Sequence, residues 1–192
     1  IVLFEDFEIL DAMGPAEMFG RLQDEFELVY VSHNGGLIRS FQQAKVDTIP
    51  FAQMDKSGIL LVPGGCGHRV VIKSEAYISE LKELMQASPY VLSVCTGSVL
   101  LAKTGLLDGK KATSNKMLFD WVVSNRPQVQ WQKSARWVVD GKYYTASGVT
   151  AGMDMALTFI EDISGKGAAE KAATETEYVR NTDANHDPFA VE

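Results

Sequence analysis

The sequence predicts an α/β fold with a mostly parallel sheet. Two observations carry that expectation. Apolar runs of strand length alternate along the chain with segments of helical spacing, the order that lays helices across the faces of a parallel sheet. Runs such as "IVLF" (1–4) and "YVLSV" (90–94) are almost continuously apolar, as strands covered on both faces are. Such a sheet gathers its active groups at the carboxyl ends of its strands.

Residues 1–4 are the first strand. In "FEILDAMGPAEMFGRL" Pro15 fits the first turn of a helix and not its interior, which starts the helix near Gly14 and leaves Asp11 in the approach to it. "FELVYVS" (26–32) is the next strand, His-Asn-Gly-Gly at 33–36 a turn, and residues 37–50 short extended pieces at an edge. "GILLVPGG" (58–65) is a strand closing in a tight glycine turn. Residues 74–88 form a helix with Ile78, Leu81, Leu84 and Met85 at helical spacing. Residues 90–94 make a buried strand, and Thr96 to Thr104 a helix stopped by Gly105. A short strand and a helix share 111–125. A hairpin over 135–147 turns at Asp140-Gly141. An apolar helix fills 150–165 and a last helix runs from Ala168 to Arg180. The polar tail 181–192 is expected to pack only through Phe189.

No repeat or low-complexity linker interrupts the 192 residues, so 1–192 reads as one domain. Eighteen Lys and Arg against 25 Asp and Glu leave a formal charge of −7, without the basic surplus that nucleic acid or an anionic membrane requires. No apolar stretch approaches the roughly 20 residues of a membrane span, and no charged leader precedes an apolar segment. Two cysteines suit a cytoplasmic protein with free thiols better than a disulfide scaffold. His33, His68 and His186 lack metal-ligand spacing, and neither metal nor other cofactor is expected.

Three strand ends carry chemistry: the approach to Asp11, the turn "PGGCGHR", and Cys95 in "LSVCTGSVLLAKTGLLDG" (92–109). Cys95 lies where a strand stops and a helix begins, with Ser93 two before it and Gly97 two after. That loosely matches a nucleophile elbow, whose sharp turn demands small neighbours. A helix N-terminus favours thiolate, and the Thr96 N–H would stand ready for an oxyanion. From spacing alone the reactive reading and an inert buried cysteine both stand. Asp11 has two readings as well, helix cap or acid–base group.

Four stretches, "LDAMGPAEMF", "LLVPGG", "SVCTGSVLLAKTGLLDGKKAT" and "YYTASGVTAGMDMAL", resemble the ThiJ/PfpI superfamily in order and spacing across most of the chain. The resemblance implies the class I glutamine-amidotransferase-like fold, a three-layer flavodoxin-like sandwich. Its particular flavour is similar to isonitrile hydratases and to the amidase-like domain that precedes the helix-turn-helix of AraC-type regulators. It implies that Cys95 is the reactive residue and that Asp11, four before Pro15, reaches its sulfur. It also implies that an N–H at Gly65 or Cys66 joins Thr96 in an oxyanion hole, and that the chain acts on a small molecule as a homodimer; the acidic charge balance leaves nucleic acid and membrane out of the expected partners.

One position departs from the pattern. Many members carry His where "ATSN" has Asn115, and an amide cannot exchange a proton near neutral pH. His68 could substitute, or be an ordinary loop histidine. Glu17, one turn into the first helix, could serve the site, the structure or a dimer contact. Cys66 could act as a resolving thiol. Ser147 and Gly148 set the entry to the helix after them, and Asp154 reads as a surface or cap group. The function expected is a cysteine-dependent hydratase or hydrolase of a small C=N-like or carbonyl substrate. The alternatives are a redox-sensing stress protein and a small-ligand-binding domain without chemistry.

Overall fold

A computed structural model describes residues 1–190. In chain order its elements are α1 (Ile9–Gly20), β1 (Val31–Ser32), β2 (Asn34–Arg39), β3 (Lys45–Pro50), a 3-10 turn (Phe51–Gln53), β4 (Leu60–Val62), α2 (His68–Val71), α3 (Glu75–Ala87), β5 (Val91–Val94), α4 (Gly97–Lys103), β6 (Lys111–Ala112), α5 (Phe119–Asn125), β7 (Gln130–Trp131), β8 (Trp137–Asp140), β9 (Tyr143–Ala146), α6 (Ala151–Ser164) and α7 (Lys166–Glu175).

The central sheet has the order β4-β5-β9-β8, with β4, β5 and β9 parallel and β8 antiparallel at its edge. A second sheet, β1-β3-β2, is tied to it by residues 1–4. Val2 N–H bonds Leu61 O at 2.9 Å, and Leu3 N–H bonds Val31 O at 2.7 Å. The opening run therefore lies between the two sheets and joins them, although only Val2 forms a ladder bridge with Val31. β6 and β7 pair separately.

Side chains alternate along β5. Val91 enters the core shared with Leu81, Leu84 and Met85 of α3 and Leu100 and Leu101 of α4. Leu92 and Val94 enter the opposite core, with Met18 and Phe19 of α1 and Met155, Phe159 and Ile160 of α6. Helices on both faces of one sheet make the three layers. Each fully buried leucine contributes about 1.5–3 kcal/mol. The Ser74 hydroxyl caps α3 by accepting the Tyr77 N–H at 3.2 Å.

Several expectations need correction. α1 starts at Ile9, five residues before Gly14, so Asp11 stands inside its first turn and not in the approach to it. The cap comes from far along the chain: Gln42 Oε1 accepts the Ile9 N–H at 3.1 Å. Pro15 is thus a helix-interior proline, and the Asp11 carbonyl goes without its usual donor. The strand expected at 26–32 narrows to β1, and residues 34–36 enter β2 where a turn was expected. Gly35 lets β2 approach β3, since a Cβ there would lie 2.7 Å from Pro50 Cδ. The actual turn is at 40–44, with Gln43 at φ 70°. α2 and β7 are too short to show a period. The last helix is α7, ending five residues before Arg180.

The tail also packs differently. Phe189 is 72% exposed, while Asp187 is buried and accepts a hydrogen bond from the Ser147 hydroxyl. Asp154, expected at the surface, is completely buried. Among the described residues no helix is long and apolar enough to cross a membrane.

Candidate active site

Cys95 follows the last residue of β5 and holds φ 57°, a left-handed conformation rare for a side-chain-bearing residue. Its surroundings fix that turn. The Cys95 N–H bonds Ala146 O at 3.1 Å, extending the β5–β9 ladder by one residue. Its carbonyl accepts from Ser98 Oγ at 3.1 Å and Ser114 Oγ at 2.9 Å. Gly97 opens α4 where a Cβ would come within 2.2 Å of Val62 O, so the residue two after the cysteine has no room for a side chain. The sharp strand-to-helix junction exposes only 7% of Cys95.

The first turn of α1 carries Asp11 to this junction, where it is fully buried. Its Oδ2 accepts the Gly64 N–H at 2.8 Å, and its Oδ1 is buried without a partner. Burial pushes the carboxyl up to about 7. The Gly64 N–H works against that rise, the Glu8 charge adds to it, and a hydrogen bond from the Cys95 thiol opposes it. Asp11 is therefore no cap for its own helix; it spans from α1 to the glycine turn and to the sulfur.

The Cys95 thiol is pushed above its ordinary range, first by burial and then by the Asp11 charge. The Thr96 backbone N–H, the Asn115 side chain and the Thr96 side chain pull it partway back. The helix N-terminus alone led to the opposite expectation, a favoured thiolate; burial outweighs it here. Burial raises both groups, and the charge of an ionised Asp11 raises the thiol further.

Asn115, at the position where a histidine was looked for, pulls the thiol pKa down as a hydrogen-bonding group with no proton to exchange. His68 does not reach the sulfur. It sits on α2, buried to 2%, with Nδ1 against Gly65 O and 3.2 Å from Thr96 Oγ1, and its ring 5.0 Å from that of Trp121. Burial pushes its pKa down, the Gly65 bond opposes the fall, and the charge of Arg69 adds to it.

The glycine turn is tightly constrained. A Cβ on Gly64 would lie 2.5 Å from Thr96 Oγ1 and 3.0 Å from Asp11 Oδ2. Gly65, at φ 122°, directs its N–H to Thr96 Oγ1 at 3.3 Å and not into an open cavity. Cys66 follows as an exposed free thiol, whereas Cys95 is buried. Glu17 lies apart from these groups, half exposed and paired with Arg21 along α1.

A buried polar network beside the site has no counterpart in the sequence reading. Asp154 Oδ2 is 2.7 Å from Arg136 Nε, and Asp154 Oδ1 accepts from Tyr178 Oη at 3.0 Å and from the Asn181 N–H at 2.8 Å. Asp187 lies 3.9 Å from Arg136 Nη1 and takes the Ser147 hydroxyl, next to the Ala146 carbonyl that holds Cys95. Lys116, the neighbour of Asn115, is buried and donates to Ala135 O at 2.6 Å and Thr113 Oγ1 at 2.8 Å. Burial pushes Lys116 down to about 8, against the pull of Asp187. Its only sequence signal was charge inside apolar segments, "ARWVV" and "GMDMAL".

Comparison with known proteins gives a family match. The model of the DJ-1/PfpI family matches residues 1–162. An isonitrile hydratase of Pseudomonas putida is 31% identical over 183 residues, 92% of this chain and 76% of that protein. The HTH-type transcriptional regulator CdhR of Pseudomonas aeruginosa is 26% identical over 163 residues, 84% of this chain and 48% of the regulator. Among solved structures, a ThiJ/PfpI family protein from Pseudomonas syringae superposes with a TM-score of 0.85 at 27% identity, covering 94% of this chain and 74% of that one.

Proposed function

The chain belongs to the DJ-1/PfpI family, and from that premise we propose that it is a cysteine-dependent hydratase of a small C=N-type substrate, an isonitrile in the first instance. The observation that carries the reading is Asp11 Oδ1: a buried, unpartnered carboxyl oxygen on a group that titrates near 7, beside a thiol held in a left-handed turn. A carboxyl of that kind can give and take a proton at neutral pH, and the thiol beside it is the nucleophile.

The steps balance without another reactant than water. Cys95 Sγ bonds to the terminal isonitrile carbon, and the thiol proton passes through Asp11 to that same carbon, leaving a thioimidate. Asp11, now ionised, takes a proton from water as the water oxygen adds to the thioimidate carbon. The nitrogen is protonated, the C–S bond breaks, the thiol regains its proton, and an N-substituted formamide leaves. Developing charge on the adduct has the Thr96 N–H within reach, with Cys66 the remaining backbone candidate in the glycine turn. Asn115 needs no proton in this scheme; it orients and stabilises the sulfur. Exposed Leu10 on α1 suits the homodimer that belongs to the same reading.

Incubation with a simple alkyl isonitrile is expected to yield the formamide with wild type and nothing above background with Cys95→Ala. Formamide production by Cys95→Ala would overturn the proposal. The likeness to a transcriptional regulator supports a second reading, a ligand-binding domain without chemistry. Tight binding of a small molecule that survives Cys95→Ala, with no turnover, would favour it. The redox-sensing alternative finds little support in a thiol that is buried and held protonated, since oxidation follows thiolate character and access.

A further inference from the structure

The Cys95 carbonyl is held from two directions. Ser98 Oγ, three residues on in α4, donates to it at 3.1 Å, and Ser114 Oγ donates at 2.9 Å from the loop between β6 and α5. The first bond is local to the turn. The second comes from 19 residues away, and the loop that delivers it is itself clamped. The buried Lys116 ammonium donates to Ala135 O at 2.6 Å and back to Thr113 Oγ1 at 2.8 Å. The Thr113 N–H bonds Thr145 Oγ1 of β9 at 2.9 Å. Ser114, fully buried, therefore stands between two anchored residues.

A peptide unit is planar, and in its trans form the C=O and the following N–H point in opposite directions. The Cys95–Thr96 bond is trans. Fixing the Cys95 oxygen therefore fixes the Thr96 N–H, which points away from both serines. The glycine turn comes up to that nitrogen: a Cβ on Gly64 would lie 2.7 Å from it, so only glycine leaves it room. Cys95, at φ 57°, also holds a conformation that persists only where its surroundings over-determine it. We propose that Ser114, clamped through Lys116, is a positioning residue: its hydroxyl holds the Cys95 carbonyl and so aims the Thr96 N–H at an oxygen forming on the carbon bonded to Cys95 Sγ. The inference rests on the proposed roles of Cys95 as nucleophile and of the Thr96 N–H as its oxyanion donor, not on the identity of the substrate.

Propanal tests this without assuming a substrate. Cys95 Sγ bonds to its carbonyl carbon, the C=O π pair moves to oxygen, and that oxygen takes the thiol proton, giving a reversible hemithioacetal. The adduct is measured by the propanal concentration that halves alkylation of Cys95 by iodoacetamide at pH 8. Mass spectrometry of the Cys95 peptide follows the alkylation, so that Cys66 does not interfere. Alkylation without propanal builds no charge on an oxygen and serves as the control. Ser114→Ala is expected to raise the halving concentration about three- to tenfold, the size of one lost hydrogen bond, while the control rate stays within about twofold. A residue that merely supported the fold would move both. Lys116→Met is expected to weaken protection in the same way, and the double variant to lose no more than the more affected single. Circular dichroism reports folding, and Ser114→Ala, which removes one oxygen, decides the matter if Lys116→Met does not fold. Four results would each overturn the proposal: equal protection of wild type and Ser114→Ala, no protection of wild type, control alkylation slowed in step with lost protection, or additive losses in the double variant. With an alkyl isonitrile, Ser114→Ala should lower kcat by a similar factor and leave KM within about twofold. A wild type that propanal protects but that makes no formamide would sink the hydratase reading alone.

Discussion

Asp11 Oδ2 receives the Gly64 backbone N–H at 2.8 Å, while Oδ1 of the same carboxyl is buried with no partner. One oxygen anchors the side chain and the other is available to a proton. The two functions separate by mutation: Asp11→Asn can keep the anchor and lose the acid. Turnover is expected to fall by about 10²–10⁴, the usual share of a general acid–base. Removing the carboxylate charge beside the sulfur also lowers the thiol pKa, so alkylation of Cys95 at pH 8 should become faster while catalysis is lost. Parallel rate measurements check the opposite signs; alkylation slowed along with turnover would contradict this account.

The same carboxyl makes stability depend on pH in a direction unusual for an aspartate. Its folded pKa, about 7, lies above the ordinary 3.8. Between those values the folded protein holds a proton that the unfolded chain has released, so stability falls as pH rises through the window. At about 1.4 kcal/mol per unit, the loss from pH 4 to pH 7 is on the order of 4 kcal/mol. Asp11→Asn removes this term. Urea unfolding at pH 4.5 and 7.5 should show wild type losing more stability than Asp11→Asn over that interval, and equal losses would speak against the assignment.

At Gly97 the space for a side chain is absent on both sides. A Cβ would meet Val62 O at 2.2 Å and Pro63 O at 2.8 Å, both backbone atoms that cannot rotate away. Gly97→Ala should cost at least about 1–3 kcal/mol, the range for overpacking. Gly167→Ala on α7, where nothing lies within 4 Å, should be neutral or gain about 0.5–1 kcal/mol from helix propensity. Chemical denaturation of the two variants provides the comparison.

The Arg136–Asp154 pair is held away from water, with side-chain exposures of 9% and 0%. Asp154→Ala leaves a buried guanidinium with only Asp187, 3.9 Å away, to balance it. A loss of about 3–5 kcal/mol is expected for Asp154→Ala and for Arg136→Met. Because each single variant strands the other charge, the double variant Arg136→Met/Asp154→Leu should lose less than the sum. A thermodynamic cycle from urea titrations measures that coupling.

Much of the layout was legible in the residues. Helical spacing placed α3 and α6, continuous apolar runs placed β4 and β5, and Gly105 and Asp140-Gly141 marked real chain reversals. Ser93 and Gly97 around Cys95 announced the elbow as a pattern of small residues, although what excludes a side chain at Gly97 is the distant backbone of Val62 and Pro63. What could not be read depends on partners far along the chain. α1 begins at Ile9 because Gln42 caps it, so local proline rules misplaced its start and the position of Asp11. The protonation of Cys95 was misjudged because burial is a property of the whole fold, whereas a helix N-terminus is visible in sequence. Asp154 looked like a surface group because its partners Arg136, Tyr178 and Asn181 are scattered. The Asn115 amide was recognised as a departure, but its pull on the thiol needed three dimensions.

The bonds of Val2 to Leu61 and of Leu3 to Val31 carry a kinetic meaning. Residues 1–4 have no place to settle until the chain has grown past the strand that ends at Val62. Such non-local closure is slow, and during it the apolar run 1–4 stays open to solvent and to neighbours. Asp11, a few residues further on, must likewise wait for Gly64 before its carboxyl has an anchor. The acid of the proposed mechanism is therefore assembled late, as a by-product of the same closure that completes the sheet.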